Sequence, residues 1–188
     1  MKSLKAILSV ALALTAAPLS AADTGESAPE YIDAMCTLAG HWTGRFEQYN
    51  ETGLLRSSRF DAGFQCQPDD DVLMETNLFV QDDGTAFSTL KVIFPASQTA
   101  EMQMSYFYGG MEKVYFFKST RLEFVDDRHW TAAREAVHTS HGLDQNPPVS
   151  RYTHIRDGNE LTMIREVKPH NSSRKWTLSA KLIMQWQP

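Results

Sequence analysis

From Gly40 onward the chain alternates apolar and polar positions in segments of strand length, and the last segment shows it most cleanly. Trp176, Leu178, Ala180, Leu182, Met184 and Trp186 fall on one face. Lys175, Thr177, Ser179, Lys181, Gln185 and Gln187 fall on the other, with Ile183 the only breach. A period of two sends successive side chains to opposite faces of a sheet, so one face is built for burial and the other for water. Segments of this kind are predicted at 41–49, 54–66, 72–81, 85–94, 101–108, 111–118 and 121–125, then at 130–138, 149–156, 161–168 and 174–187. One of these eleven is readable as a continuation of its neighbour.

The connections carry hairpin chemistry. Asp83-Gly84, Gly109-Gly110 and Asp157-Gly158-Asn159 supply residues that accept positive φ, which tight hairpins demand. Short turns make sequential strands neighbours, and no helix-length segment interrupts them, which excludes βαβ and nucleotide-binding architectures. A sheet of about ten strands cannot stay flat, and closure removes its exposed edges. The predicted fold is all-β: a closed antiparallel up-and-down barrel of about ten strands. One connection, 139–148, is longer and holds His141, Asp144 and the Pro147-Pro148 pair, as a rim loop would.

The N-terminus obeys a different pattern. Lys2 and Lys5 precede an apolar stretch from Ile7 to Ala17, and Ser20-Ala21-Ala22 offers small residues for a signal peptidase. Residues 1–22 therefore read as a signal peptide, 23–28 as a flexible leader, and 29–188 as one domain. The expected location is the periplasm or the medium. At the start of that domain, 29–38 is predicted as a short helix: Pro29 suits a first turn, and Tyr31, Ala34, Met35 and Leu38 share a face.

The net charge of −5 becomes −7 once Lys2 and Lys5 leave with the signal, so the protein has no electrostatic footprint for nucleic acid. The expected state is a monomer without a membrane span. Two cysteines, Cys36 and Cys66, are an even pair in an oxidising compartment and are expected to be bridged. Closing a loop of roughly thirty residues contributes about 3 kcal/mol in the chain-entropy model.

No nucleophile elbow, zincin motif, phosphate loop or dinucleotide fingerprint is present, and no cofactor is implied. His138-x-x-His141 with Asp144 straddles a strand end and a loop, so it fixes no common face and no metal site is assigned. Strand parity offers a better cluster. If Trp130 points inward, Arg134 and His138 follow it; Tyr152, His154 and Arg156 share a face of the next segment; Arg165 shares one with Leu161 and Met163. Arg56 shares a mostly apolar face with Leu54 and Phe60, and Met102, Met104 and Tyr106 line another. An inward arginine needs a buried carboxylate or an anionic ligand. Arg134 has Glu75 or Glu166 as alternative structural partners, and a bulge would return any of these residues to solvent.

Gly40-His41-Trp42, opening the first strand of a meander after a short helix, resembles the calycin superfamily of lipocalin-like and fatty-acid-binding-like barrels. Leu38-Ala39-Gly40-His41-Trp42-Thr43-Gly44 is also similar to the opening of bacterial lipocalin-like proteins of unassigned function. The resemblance implies that Trp42 closes the narrow end of the barrel and that a basic residue near the last strand packs over it, for which Arg174 is the best match. Two departures limit the transfer. The last strand reads Arg174-Lys175-Trp176 where fatty-acid-binding proteins carry Arg-x-Tyr, and Arg45-Phe46 interrupts the glycines of haem-binding members.

Three functional expectations follow. The first is an exported binder of a small apolar or amphipathic molecule, its site drawn from Arg56, Arg134, His138, Tyr152, His154, Arg165, Met102, Met104 and Tyr106, with Gly40, Trp42, Arg174, Cys36 and Cys66 structural. The second is an isomerase- or cyclase-like enzyme using Arg134, His138, Tyr152 and His154. The third is a filled barrel acting as an envelope interaction module.

Overall fold

A computed structural model describes residues 28–67, 71–96, 101–139, 148–169 and 175–188, and the side chains of 137–139 are not among the features described. The signal-peptide assignment, residues 23–27 of the expected leader, the His141 and Asp144 positions and Arg174 lie outside these residues, whereas Ala28, the last residue of that leader, is buried at the start of the first helix. A helix, α1 (Ala28–Cys36), precedes ten strands: β1 (Gly40–Asn50), β2 (Gly53–Gln67), β3 (Val72–Val80), β4 (Ala86–Pro95) and β5 (Glu101–Tyr108). The series continues as β6 (Met111–Asp126), β7 (His129–Thr139), β8 (Val149–Asp157), β9 (Glu160–Lys168) and β10 (Thr177–Gln187). Each strand pairs antiparallel with the next, and β1 pairs with β10 from His41↔Gln187 to Gln48↔Ala180, closing the barrel. The segments expected at 111–118 and 121–125 are one strand, β6, carried through by a register shift between Ser119 and Arg121.

The seam is close enough to require a glycine. A Cβ at Gly44 would lie 2.0 Å from the Ile183 carbonyl oxygen and 2.8 Å from the Met184 Cα, both backbone atoms that cannot step aside. Inward positions alternate as the pattern demands: Ser58, Phe60, Ala62 and Phe64 on β2, Trp130, Ala132 and Arg134 on β7, and Ala180, Leu182 and Met184 on β10 are all buried. The alternation expected along the last strand breaks at Ser179. A bulge between Leu178 and Ala180 reverses the parity, and Trp176 packs under Arg151 and Lys168, 4.7 and 4.4 Å from its ring.

Helix α1 plugs one end. Tyr31, Ile32, Met35 and the following Leu38 are fully or almost fully buried, as an amphipathic helix inserted into an apolar lumen must be. The plug is fastened at its C-terminal end, where helix carbonyls need donors. Trp42 Nε1 donates to Leu38 O at 2.8 Å, Trp130 Nε1 donates to Thr37 Oγ1 at 2.9 Å, and Arg156 donates to both oxygens of Thr37. The Cys36–Cys66 disulfide joins the helix to the end of β2. Arg156, on β8, is also a cation over the Trp42 ring, 5.5 Å from its centroid; Arg174, expected there from the resemblance, lies outside the described residues.

Replacing Gly44 by alanine is expected to destabilise the fold by about 2 kcal/mol or more, because the added methyl forces the seam apart. Thermal or urea unfolding of Gly44→Ala checks this, and an unchanged midpoint contradicts the seam geometry.

Candidate functional site

The unplugged end of the barrel opens into a lumen with two connected compartments. The inner one has a volume of about 230 Å³, and its walls carry six aromatic rings, those of Phe46, Phe60, Phe79, Tyr106, Tyr115 and Tyr152. Met104, Met163, Leu182, Ala180, Lys91 and Arg165 complete most of the wall. Phe46, Phe79, Tyr106, Arg165 and Ala180 are shared with a mouth compartment of about 290 Å³, where Phe87, Tyr108, Gln48 and Arg56 form the lip. Rings run from depth to lip in sequence: Phe60 meets Phe79 edge-on at 4.8 Å, Phe79 stacks on Phe87 at 4.6 Å, and Phe87 meets Tyr108 at 5.5 Å. Such a wall of rings and methionines offers apolar contact without fixing one shape.

Polar groups enter this lumen through register. Ser119, Arg134, Tyr152, Arg165 and Ala180 pair directly across β6 to β10, so one rung of the barrel carries two arginines either side of a tyrosine. Arg165 donates from Nη2 to Ser150 Oγ at 3.2 Å and lies 5.7 Å from the Tyr152 ring. Arg134 is 2% exposed and is held by rings rather than by an acid: its guanidinium sits 4.5 Å from Phe117, 5.3 Å from Tyr152 and 5.7 Å from Tyr31. Neither expected carboxylate reaches it, because Glu75 pairs with Lys91 and Glu166 pairs with Arg151. Ser119 Oγ, Arg134 Nε and Nη1, and Arg165 Nε are buried without a hydrogen-bond partner among the described residues.

The nine residues expected from sequence separate by depth. Met104, Tyr106, Tyr152 and Arg165 converge on the inner compartment. Arg56 keeps its inward parity but sits at the exposed lip, donating to Gln48 Oε1 at 2.7 Å. Leu54, grouped with it on an apolar face, is 58% exposed, since β2 extends past the rim of the core. Arg134 and His154 lie outside the compartment walls, against Tyr31 of α1, and Met102 is fully buried outside those walls as well. His138 pairs with Phe116 through the backbone, and its side chain is outside the described features.

His154 is buried against the plug, with Nδ1 3.1 Å from the Tyr31 hydroxyl. Burial, reinforced by the positive charges of Arg134 and Lys91, holds its pKa well below the ordinary imidazole value. Burial also raises the Tyr31 phenol, against the opposing pull of Arg134. A neutral pair sealed beneath the lumen cements the helix in place; it does not present an acid or base to a molecule in the compartment.

Sequence reading missed Lys91, Phe46, Phe79 and Tyr115. Parity alone finds Lys91: Phe87, Thr89, Lys91 and Ile93 alternate on one face of β4, with an ion between apolar neighbours. Among the described residues no cluster of three metal-ligating side chains occurs.

No protein-family model and no curated protein matches the chain. Among solved structures it is similar to the crystal structure of Rv2717c from M. tuberculosis, with a TM-score of 0.61 and 11% sequence identity over 84% of this chain and 98% of that one. At that identity the likeness shows the barrel fold.

The buried imidazole sets a pH dependence. His154 binds a proton in the unfolded chain below its ordinary value of 6.5 but resists it when folded, so the unfolded state binds more protons there. Stability therefore falls as pH drops through the ordinary imidazole value. Urea unfolding between pH 7 and 5 is expected to show that loss, reduced in His154→Gln; an equal loss in the variant contradicts the assignment.

Proposed function

We propose that this protein binds a small apolar or amphipathic molecule inside the barrel and does so outside the cytoplasm. The observation that carries the reading is the lumen itself: an inner compartment of about 230 Å³ walled by rings and methionines, continuous with an open mouth of about 290 Å³. Together these reach the size range of small-molecule sites, which are concave, mostly apolar and marked by a few polar groups. A packed interior would suit a purely structural barrel better, so the cavity favours ligand binding over the filled interaction module. The sealed, neutral His154 weighs against acid–base catalysis by that residue.

Two features support an exported location. The Cys36–Cys66 disulfide suits an oxidising compartment, and the sequence of residues 1–22 has the charge and hydropathy pattern of a signal peptide. Among the described residues no helix is long and apolar enough to cross a membrane.

The apolar dye N-phenyl-1-naphthylamine tests the reading. Its fluorescence is expected to rise to saturation at one site per chain. Ala180 lines both compartments and is 5% exposed, so a phenyl group there fills the passage between them. Ala180→Phe is expected to weaken the dye by at least about tenfold while preserving the sheet by circular dichroism. Absence of saturable binding to the native protein overturns the proposal.

A further inference from the structure

The charges facing the lumen are one-sided. The chain holds 23 acidic residues against 18 lysines and arginines, yet the described residues lining the inner compartment and the mouth include Arg56, Lys91 and Arg165 and no carboxylate. Arg134 adds a fourth positive charge just beyond the wall, against Tyr152 and Met104. Glu75 is the one buried acid nearby, and it is engaged: Lys91 Nζ donates to its Oε1. An ammonium has three donors, so one such bond leaves two on Lys91. Arg165 uses Nη2 on Ser150, and its buried Nε has no partner among the described residues. Desolvated cations without matching acids are costly, and an anionic guest removes that cost.

The neutral part of the wall is equally selective. Six rings enclose the small inner compartment, Phe46 and Phe60 each meeting Phe79 edge-to-face at 5.2 and 4.8 Å. Ring edges and faces arranged this way complement a flat π-system better than a flexible chain, which loses rotamer freedom on confinement.

We propose that the lumen's ligand is a flat aromatic monocarboxylate, its carboxylate on Arg165 with Lys91 as the second cation, and its ring among Phe46, Phe60 and Phe79. The guanidinium fork matches the two oxygens of a planar carboxylate, and Arg134 supplies positive potential from behind Tyr152. The inference rests on the reading of the lumen as a binding site and names the chemistry of its occupant.

The test is calorimetric titration of the processed full-length chain with 2-naphthoate and with its uncharged counterpart, 2-naphthalenemethanol. The acid is expected to bind at least about tenfold more tightly than the alcohol. In Arg165→Met that preference is expected to vanish through loss of acid affinity, with the alcohol held within about twofold, which also shows that the variant is folded. Equal affinities for acid and alcohol in the native protein overturn the carboxylate subsite and leave the lumen reading standing. Tighter binding of 2-naphthyl phosphate than of 2-naphthoate overturns the choice of anion, and tighter binding of decanoate overturns the choice of an aromatic body. Failure of both naphthyl ligands while N-phenyl-1-naphthylamine still binds defeats the aromatic acid alone; failure of all three defeats the lumen reading with it.

Discussion

The pairing of β1 with β10 is the constraint on which the rest of the molecule depends. An open ten-stranded sheet would leave two unpaired edges and expose the apolar faces now turned inward. Closing it converts those faces into a lumen and sets the order in which inward side chains meet. The backbone contact at Gly44 makes the seam tight, and the eight register pairs from His41↔Gln187 to Gln48↔Ala180 bring Trp42 over the plugged end. From there Trp42 and Arg156 hold the C-terminal turn of α1, while Trp130 and the disulfide hold it from other sides. One end is closed by construction and the other is left open.

Inside the closed wall, polar groups are handled in two ways. Toward the plug they pair: the Tyr31 hydroxyl hydrogen-bonds the neutral His154 ring, and Glu75 takes one of the three donors of Lys91, which also lines the inner compartment. Along the rung through β7, β8 and β9 they do not, because Arg134 and Arg165 find rings and a serine instead of acids. A cation over an aromatic face recovers about 0.5–2 kcal/mol, less than the desolvation of a buried charge, so rings alone do not balance a guanidinium. That imbalance separates the binding reading from a merely structural one. The outer ion pairs Arg45–Glu47 and Arg121–Glu123 are exposed on at least one side and carry little of the fold's stability.

Much of this architecture was legible in the alternation of residues, because a barrel with one wet and one dry face writes its period directly into the chain. Parity marked eleven segments, two of which are the one strand β6; the hairpin turns gave their up-and-down order, and parity with Trp130 inward gave the direction of Arg134. What parity lacks is depth and continuity. Arg56 points inward as expected but lies above the rim, and His154 points inward but lies below the floor; position along a strand axis has no signature in a period of two. A bulge at Ser179 turned Trp176 outward, and a bulge of one residue is invisible to hydropathy. The resemblance gave a cation over Trp42 to Arg174, which lies outside the described residues; among those residues Arg156 reaches the Trp42 ring from β8, a contact that a period of two within one strand does not reveal. Lys91 was open to the same parity argument, sharing a face of β4 with Phe87, Thr89 and Ile93, but only its pairing with the buried Glu75 accounts for an ion at that position.

The central question is whether molecules enter the barrel. Methionine-methyl NMR reads this directly, because Met104 and Met163 line the inner compartment while Met74 alternates with the buried Leu73 and Glu75 and so lies on the outer face of β3. Titration with N-phenyl-1-naphthylamine should move the Met104 and Met163 methyl resonances saturably and leave Met74 in place. Shifts at Met74 with Met104 and Met163 unmoved would place the dye on the outside of the barrel and contradict an accessible lumen.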